Sequence, residues 1–378
     1  MTDEVRLVRA LRLRAQGLVP DRGRWGSAPE AARGMLAMQA QDRLGVLWAL
    51  SLRSTRADTS GQPTEAEVVA DLDERRIVRN RPSRGTLQVT APEDLHWLTG
   101  LLSERSNAAG RRRRGDVGVT EAMERRVGDV LRSELADGRM RTRPELVEAC
   151  RQAGVPLDGP QAGHLLRHHT ERMTIVFARR RGRTDTFALA DDWIDQRRVL
   201  EREEALAEVA IRYFRARGPA TPQCLGWWAD LAMRDVRAAI AAAGPALAEV
   251  ELAGTSMVIP SGTAGLSAAE VDASLAEPML LPPFDEYLLG YRHRSPQITP
   301  ERLDAVVPGR NGMFKPIIVV DGEVVGLWSR AANGRRVTVT LMPFGTPAPS
   351  TIDRLGDRAR AYGDFLGLEA RVEVEGRT

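Results

Sequence analysis

The period of the apolar residues changes in the same way more than once along the chain, and that recurrence limits the fold more than any other feature. The clearest copy lies between Thr120 and Leu189. A helix extends from Thr120 to about Leu135, a second opens at Thr142-Arg143-Pro144-Glu145 and ends at Gly154, and a third runs from near Asp158-Gly159-Pro160 to His169. Two strand-like runs follow, Thr174-Ile175-Val176-Phe177-Ala178 and Thr186-Phe187-Ala188-Leu189, joined by Arg179-Arg180-Arg181-Gly182-Arg183-Thr184-Asp185. Helix, helix, helix, then a hairpin with an arginine tip is the order of a winged helix.

The order occurs on both sides of this copy. Upstream, a basic amphipathic helix covers Val5 to Gly17, and Ser27 followed by Ala28-Pro29-Glu30 starts a second. A third runs on from Asp42, and Thr64 to Glu67 has capping-box spacing. Ile77-Val78-Arg79-Asn80 and Thr86-Leu87-Gln88-Val89 then flank a tip at Arg81-Pro82-Ser83-Arg84-Gly85. Pro92-Glu93-Asp94 starts the helix that leaves it. Downstream, a long helix from about Asp195 ends before Gly218-Pro219, Thr221-Pro222 starts the next, and Arg234 to Ala243 forms another. Leu247 to Leu252 and Met257 to Ile259 supply a hairpin without a basic tip, which suits a scaffold.

After Pro278 the character changes. Strand-like runs at 316–320, 324–328 and 337–341, a helix over 354–366 and a last strand over 369–374 predict a small β-rich unit, a partial barrel. Asp321-Gly322 is a tight hairpin turn. A chain of 378 residues exceeds one compact core. The expectation is an α+β protein with three tandem winged helices over 1–110, 116–196 and 197–270, and a barrel-like unit over 275–374. Arg111 to Arg114, beside Gly110 and Gly115, read as a mobile linker able to touch phosphates, or as a solvated loop.

Charge narrows the partners only a little. The net charge is +3, the isoelectric point is about 9.2, and Lys315 is the single lysine. A GC-rich genome produces that arginine bias by itself, yet arginine still suits bidentate phosphate contacts. Cys150 and Cys224 follow no metal-ligand spacing and fit a reduced compartment. Met1-Thr2-Asp3-Glu4 lacks a signal-peptide pattern, and no apolar run approaches membrane-spanning length. A cytoplasmic protein without membrane contact is expected. His164 and His168 stand at i, i+4 with His169 beside them, but no third ligand has a convincing spacing, so no metal is assigned. No glycine-rich phosphate loop, nucleophile elbow or serine triad occurs, and no cofactor is assigned.

Two stretches can carry chemistry. In Met38-Gln39-Ala40-Gln41-Asp42-Arg43-Leu44, two neutral amides flank one alanine just before an Asp placed to cap the next helix. In an extended entry to that helix both amides share a face, and they donate and accept hydrogen bonds without carrying charge. The alternative is a pair of surface residues that meet only water. In Phe284-Asp285-Glu286-Tyr287-Leu288-Leu289-Gly290-Tyr291-Arg292-His293-Arg294, acid, aromatic and basic groups crowd together. That stretch is either a ligand-binding loop or a structural salt-bridge cluster.

Together, Gln39-Ala40-Gln41, the Ser83-Arg84-Gly85-Thr86-Leu87 tip and the run Leu281 to Arg292 followed by Asn311-Gly312-Met313-Phe314 resemble the AlkZ-like tandem winged-helix DNA glycosylases. That family is typified by an azinomycin self-resistance glycosylase, with the YcaQ group as cousins. The resemblance covers nearly the whole chain, to about Leu366. The amide pair matches the family's Gln-x-Gln signature rather than the Gln-x-Asp form of the YcaQ group. One departure is Gln88, where family members usually carry His.

The resemblance implies hydrolysis of the N-glycosidic bond of bulky, cationic N7-alkylguanine adducts in double-stranded DNA, in some members including interstrand crosslinks. Three different winged helices in one chain suggest a monomer that wraps DNA asymmetrically. The reading assigns Gln39 and Gln41 to catalysis. Arg84, Thr86, Arg180, Arg181 and Arg183 are assigned to DNA, and Asp285, Tyr287, Arg292 and Asn311 to the lesion. The competing class is a winged-helix transcriptional regulator without catalytic activity, which would bind two-fold symmetric sites as a dimer.

Overall fold

The computed structural model describes residues 3–19, 24–56, 61–263 and 265–375, so Met1 and Thr2 lie outside the described residues. Helices and sheets are mixed, and the chain divides into two compact units, 1–69 with 206–378, and 70–205.

In the first unit, five strands form one sheet in the order Glu369–Val374, Arg336–Pro343, Glu323–Asn333, Ile317–Val320, Met279–Leu281. Only the outermost pair, Arg336–Pro343 with Glu369–Val374, is parallel. The two end strands are not joined, so this is an open sheet and not the expected barrel. Closure needs strands enough to curl the sheet on itself, and here a helix covers a face instead. That helix, Pro349–Leu366, buries Ile352, Leu355, Ala359, Tyr362 and Phe365, a spacing of three and four that makes one apolar stripe.

The same aromatic layer receives helix Arg43–Leu52. Its Trp48 donates its indole N–H to the Leu280 carbonyl at 2.9 Å and stacks edge-on to Tyr362 with centroids 5.2 Å apart. Trp328 reaches Tyr362 at the same 5.2 Å and donates to the Leu281 carbonyl at 2.8 Å. Two buried indoles with satisfied N–H groups therefore fix the helix after Asp42 against the sheet. The Asp321-Gly322 turn has φ of 52° and 68°, the left-handed pair of a tight two-residue hairpin. A Cβ at Gly322 would lie 2.7 Å from Cβ of Arg9, so glycine is required there twice over.

The second unit contains the sequence-predicted run of three helices and a hairpin. Helices Glu121–Leu135, Arg143–Gln152 and Gly159–Glu171 precede strands Ile175–Arg181 and Thr184–Leu189. Thr142 with Glu145, and Asp158 with Gln161, form reciprocal capping boxes, and a proline stands in each first turn. Strand alternation sorts the hairpin between two cores. Ile175 and Phe187 join Leu131, Leu146 and Leu165 on one face; Val176 and Ala188 join Val78, Leu95 and Trp193 on the other. The earlier hairpin, Val78–Asn80 with Gln88–Thr90, extends this sheet through pairing of Arg79 with Phe177.

Two expectations change here. Arg111 to Arg114 are not a linker but the last turns of helix Glu104–Asp116. Ala108, Ala109 and the arginines favour a helix, and Arg114 is buried against Glu124, which outweighs the cost of Gly110 and Gly115. The helix expected from Asp195 begins at Arg202, because the preceding segment is held open by hydrogen bonds from Arg198 to Glu93 and Asp94.

Candidate active site

Extended backbone at Met38–Gln39 leads through Ala40 to Asp42, the N-cap of helix Arg43–Leu52. Ala40 is buried, Gln39 is half-buried and Gln41 is exposed. The methyl group of Ala40 is buried, while Gln39 and Gln41 on either side of it keep access to solvent. Asp42 Oδ1 accepts the Gly45 N–H at 2.6 Å and also the Arg330 guanidinium at 2.9 Å.

The segment is shaped from behind by groups that the sequence pattern does not connect. Ala37 donates its N–H to the Met35 carbonyl at 2.8 Å, a two-residue closure in which Leu36 takes φ of 64°. That conformation costs a non-glycine residue about 1–2 kcal/mol. Arg217 holds it, donating to the Met35 carbonyl at 3.0 Å and the Ala37 carbonyl at 2.8 Å. The same guanidinium pairs with Glu286 Oε2 at 2.7 Å, which also accepts the Trp228 indole N–H at 3.1 Å. Glu286 Oε1 then accepts the backbone N–H of Gln39 at 3.1 Å. Arg217 and Glu286 are both buried, so the charge pair is paired and hydrogen-bonded as burial demands.

Beside it lies a second buried network. Arg53 reaches both oxygens of Asp285, at 2.8 and 2.9 Å, and donates to Gln16 Oε1 at 2.9 Å. Gln16 in turn donates to the Tyr291 hydroxyl at 3.0 Å. Asp285 also caps the short helix Glu286–Leu289 through the Tyr287 N–H. Tyr287 is fully buried and donates its hydroxyl to the Gly322 carbonyl at 2.6 Å. Burial raises the Tyr287 phenol above its ordinary range and pushes Tyr291 up to about 12.

The four residues expected at the lesion are therefore not together. Asp285 and Tyr287 are committed inside the core, and their stretch is the structural cluster of the two readings. Arg292 is exposed. Asn311 is exposed in a turn, where its Oδ1 accepts the Met313 N–H at 2.9 Å. Glu286, Arg217 and Arg330 were not singled out from the sequence. Glu286 alone had a signal, its place beside Asp285.

In the second unit, Arg84 is exposed at a tip where it and Gly85 have φ of 55° and 64°. Thr86 donates its N–H to the Ser83 carbonyl at 3.1 Å, and buried Gln88 donates to Thr86 Oγ1 at 3.4 Å. Arg183 is exposed at the second tip. Arg180 and Arg181 instead pair with Asp185 at 3.1 Å and Glu145 at 2.7 Å. His168 and His169 are pushed down to about 4, by burial first, then by Arg114 beside His168 and by His168 beside His169.

A solvent-accessible amide pair at the entry to a buried helix, in an α+β chain carrying arginine-tipped hairpins, points to a class. The DNA glycosylase AlkZ-like family matches residues 32–365, and the chain belongs to it. It is a DNA glycosylase, a hydrolase acting on N-glycosyl bonds. Among its relatives is the interstrand DNA cross-link repair glycosylase of Streptomyces sahachiroi, 27% identical over 315 residues, which span 80% of this chain and 82% of that protein. The solved structure of Streptomyces sahachiroi DNA glycosylase AlkZ is similar with a TM-score of 0.74 at 23% identity, covering 98% of this chain and 100% of that one. A regulator without catalysis is thereby not favoured. Among the described residues, no helix is long and apolar enough to cross a membrane.

Proposed function

We propose that the protein releases cationic N7-alkylguanine bases from double-stranded DNA, with Gln39 and Gln41 as the groups that act on the sugar. The observation that carries this is the pair of carboxamides, half-buried Gln39 and exposed Gln41, that flank buried Ala40 at the entry to helix Arg43–Leu52. Alkylation at N7 places a positive charge on the base, so it departs without a proton from the enzyme. The C1′–N9 bond breaks, its electron pair neutralises the imidazolium, and oxocarbenium character develops on the deoxyribose. A water oxygen then bonds to C1′ and its proton passes to solvent. Neutral amides suit this sequence. One orients the water, and a carbonyl dipole points toward the developing charge.

Weak general-base power sets the selectivity, because an uncharged base is a poor leaving group. The three helix-and-hairpin repeats are read as tandem winged helices over 1–110, 116–196 and 197–270. Arg84, Thr86 and Arg183 serve as phosphate contacts, with Arg180 and Arg181 beside them, in a monomer acting in the cytoplasm. Arg292 and Asn311, both exposed, stay assigned to the lesion side. A crosslinked base resists extrusion into a closed pocket. The relative's cross-link repair makes interstrand crosslinks the bulky substrate to try, for self-resistance or for general repair.

Duplex oligonucleotides carrying N7-methylguanine or a bulkier N7 adduct should yield abasic sites, read as strand breaks after alkali. Gln39→Ala and Gln41→Ala should each slow release by roughly 100-fold, with folding and duplex binding retained. Undiminished release by the double variant would remove the assignment.

A further inference from the structure

We propose that helix Glu104–Asp116, with Arg172 beside it, is a contact surface for the phosphodiester backbone of duplex DNA. Several exposed arginines of this unit already have a carboxylate: Arg76 pairs with Asp71, Arg151 with Glu148 and Arg181 with Glu145. Arg111, Arg112 and Arg113 are exposed and make no ion pair among the described residues, and the same holds for Arg172. Three successive helical positions stand 100° apart, so these side chains fan around about 200° of the helix. The exposed neighbours are Ala108, Ala109, Gly115 and Asp116; the first three leave room for a phosphate, and Asp116, one turn on from Arg112, is a single carboxylate against three guanidinium groups.

The charge is concentrated rather than scattered. Arg111 and Arg172 line one cleft of about 540 Å³ together with Asn107, His168 and His169. Both charges also press on His168, which is depressed by burial first. The acids of the cleft do not cancel them, since Glu124 is taken by Arg114, Glu121 faces Arg125, and Asp129 faces Arg132. The helix is also firmly seated. Buried Arg114 pairs with Glu124 of helix Glu121–Leu135, and Gln161 donates to the Val117 carbonyl at 3.1 Å. A fixed, unneutralised arginine fan fits a polyanion, and its forked donors match phosphate oxygens. The inference rests on the family's action on DNA and not on which base is released.

The test is the salt dependence of binding to undamaged duplex by the full chain, which does not require excision. Replacing Arg111, Arg112 and Arg113 together with Gln should reduce the slope of log affinity against log salt by about 2.7. Between roughly 50 and 200 mM salt, the unaltered protein should then lose about 40-fold more affinity than the variant. Arg151→Gln removes an ion-paired arginine and should leave the slope unchanged. Parallel slopes for the triple variant and the unaltered protein, or equal shifts with Arg151→Gln, overturn the proposal. If the triple variant misfolds, the unaltered protein decides the matter through arginine labelling by phenylglyoxal with and without duplex, read by mass spectrometry. Protection of Arg111 to Arg113 and Arg172 but not Arg151 supports the surface, and equal labelling overturns it.

Discussion

Arg330 and Asp42 are 288 positions apart, yet one guanidinium nitrogen of Arg330 lies 2.9 and 3.1 Å from the two carboxylate oxygens of Asp42. Strand Glu323–Asn333 thereby grips the residue that follows Gln41 and caps the helix behind it. The contact orients the neighbour of Gln41 and not Gln41 itself, so on the proposed reading Arg330 is a positioning residue. Arg330→Met should lower single-turnover release at saturating DNA by roughly ten-fold, with duplex affinity nearly constant. Asp42→Asn keeps a cap and should lose less. If Arg330 works through Asp42, the double variant is no slower than the worse single one, and additive losses would show an independent role.

Glu286→Gln removes the charge that balances buried Arg217 while keeping an acceptor for the Gln39 N–H. An uncompensated buried guanidinium costs about 3–5 kcal/mol. The thermal transition of the unit containing residues 1–69 and 206–378 should fall well below that of the unaltered protein. Replacing both partners by apolar residues should recover part of the loss, which calorimetry of the three proteins would measure.

Tyr287→Phe separates a structural hydroxyl from a lesion contact. It leaves the Gly322 carbonyl without its buried donor, a loss of about 1–3 kcal/mol in stability. Release from N7-methylguanine DNA at moderate temperature should not change. A large drop in release by a folded, equally DNA-binding variant would return Tyr287 to the lesion.

Acid should loosen the second unit before the first carboxylates titrate widely. His168 and His169 sit at about 4 in the fold, against about 6.5 in an unfolded chain. Between those values the unfolded state binds more protons, so stability present above pH 6.5 declines as pH falls toward 4. Hydrogen-exchange protection across residues 70–205, taken relative to the intrinsic rate at each pH, should fall over that window. His169→Gln should flatten the dependence, whereas an unchanged profile would locate the sensitivity elsewhere.

Local chemistry made much of the architecture readable. Thr142 with Glu145 and Asp158 with Gln161 close helices within four residues, and the alternation around Phe177 and Phe187 announces a hairpin. The β-rich unit was read strand by strand, but the openness of its sheet depends on which strands end unpaired, and no short window records that. Gly110 and Gly115 imitated a linker because burial of Arg114 acts from outside the segment. Asp285 and Tyr287 misled for a related reason, since acid, phenol and arginine crowd together in a buried network as readily as in a binding loop. The grip on the amide strand was unreadable because Arg217 and Glu286 lie 69 positions apart, and nothing local couples them.

The left-handed turn at Leu36, clamped by one guanidinium on both sides, has an evolutionary corollary. The amide segment is delivered already bent by the folding of distant parts of the chain, so a lineage cannot reshape it without dismantling the interior that supports it. Divergence among relatives would then fall to the solvent-facing loops and arginine tips, which can vary while that segment stays as it was cast.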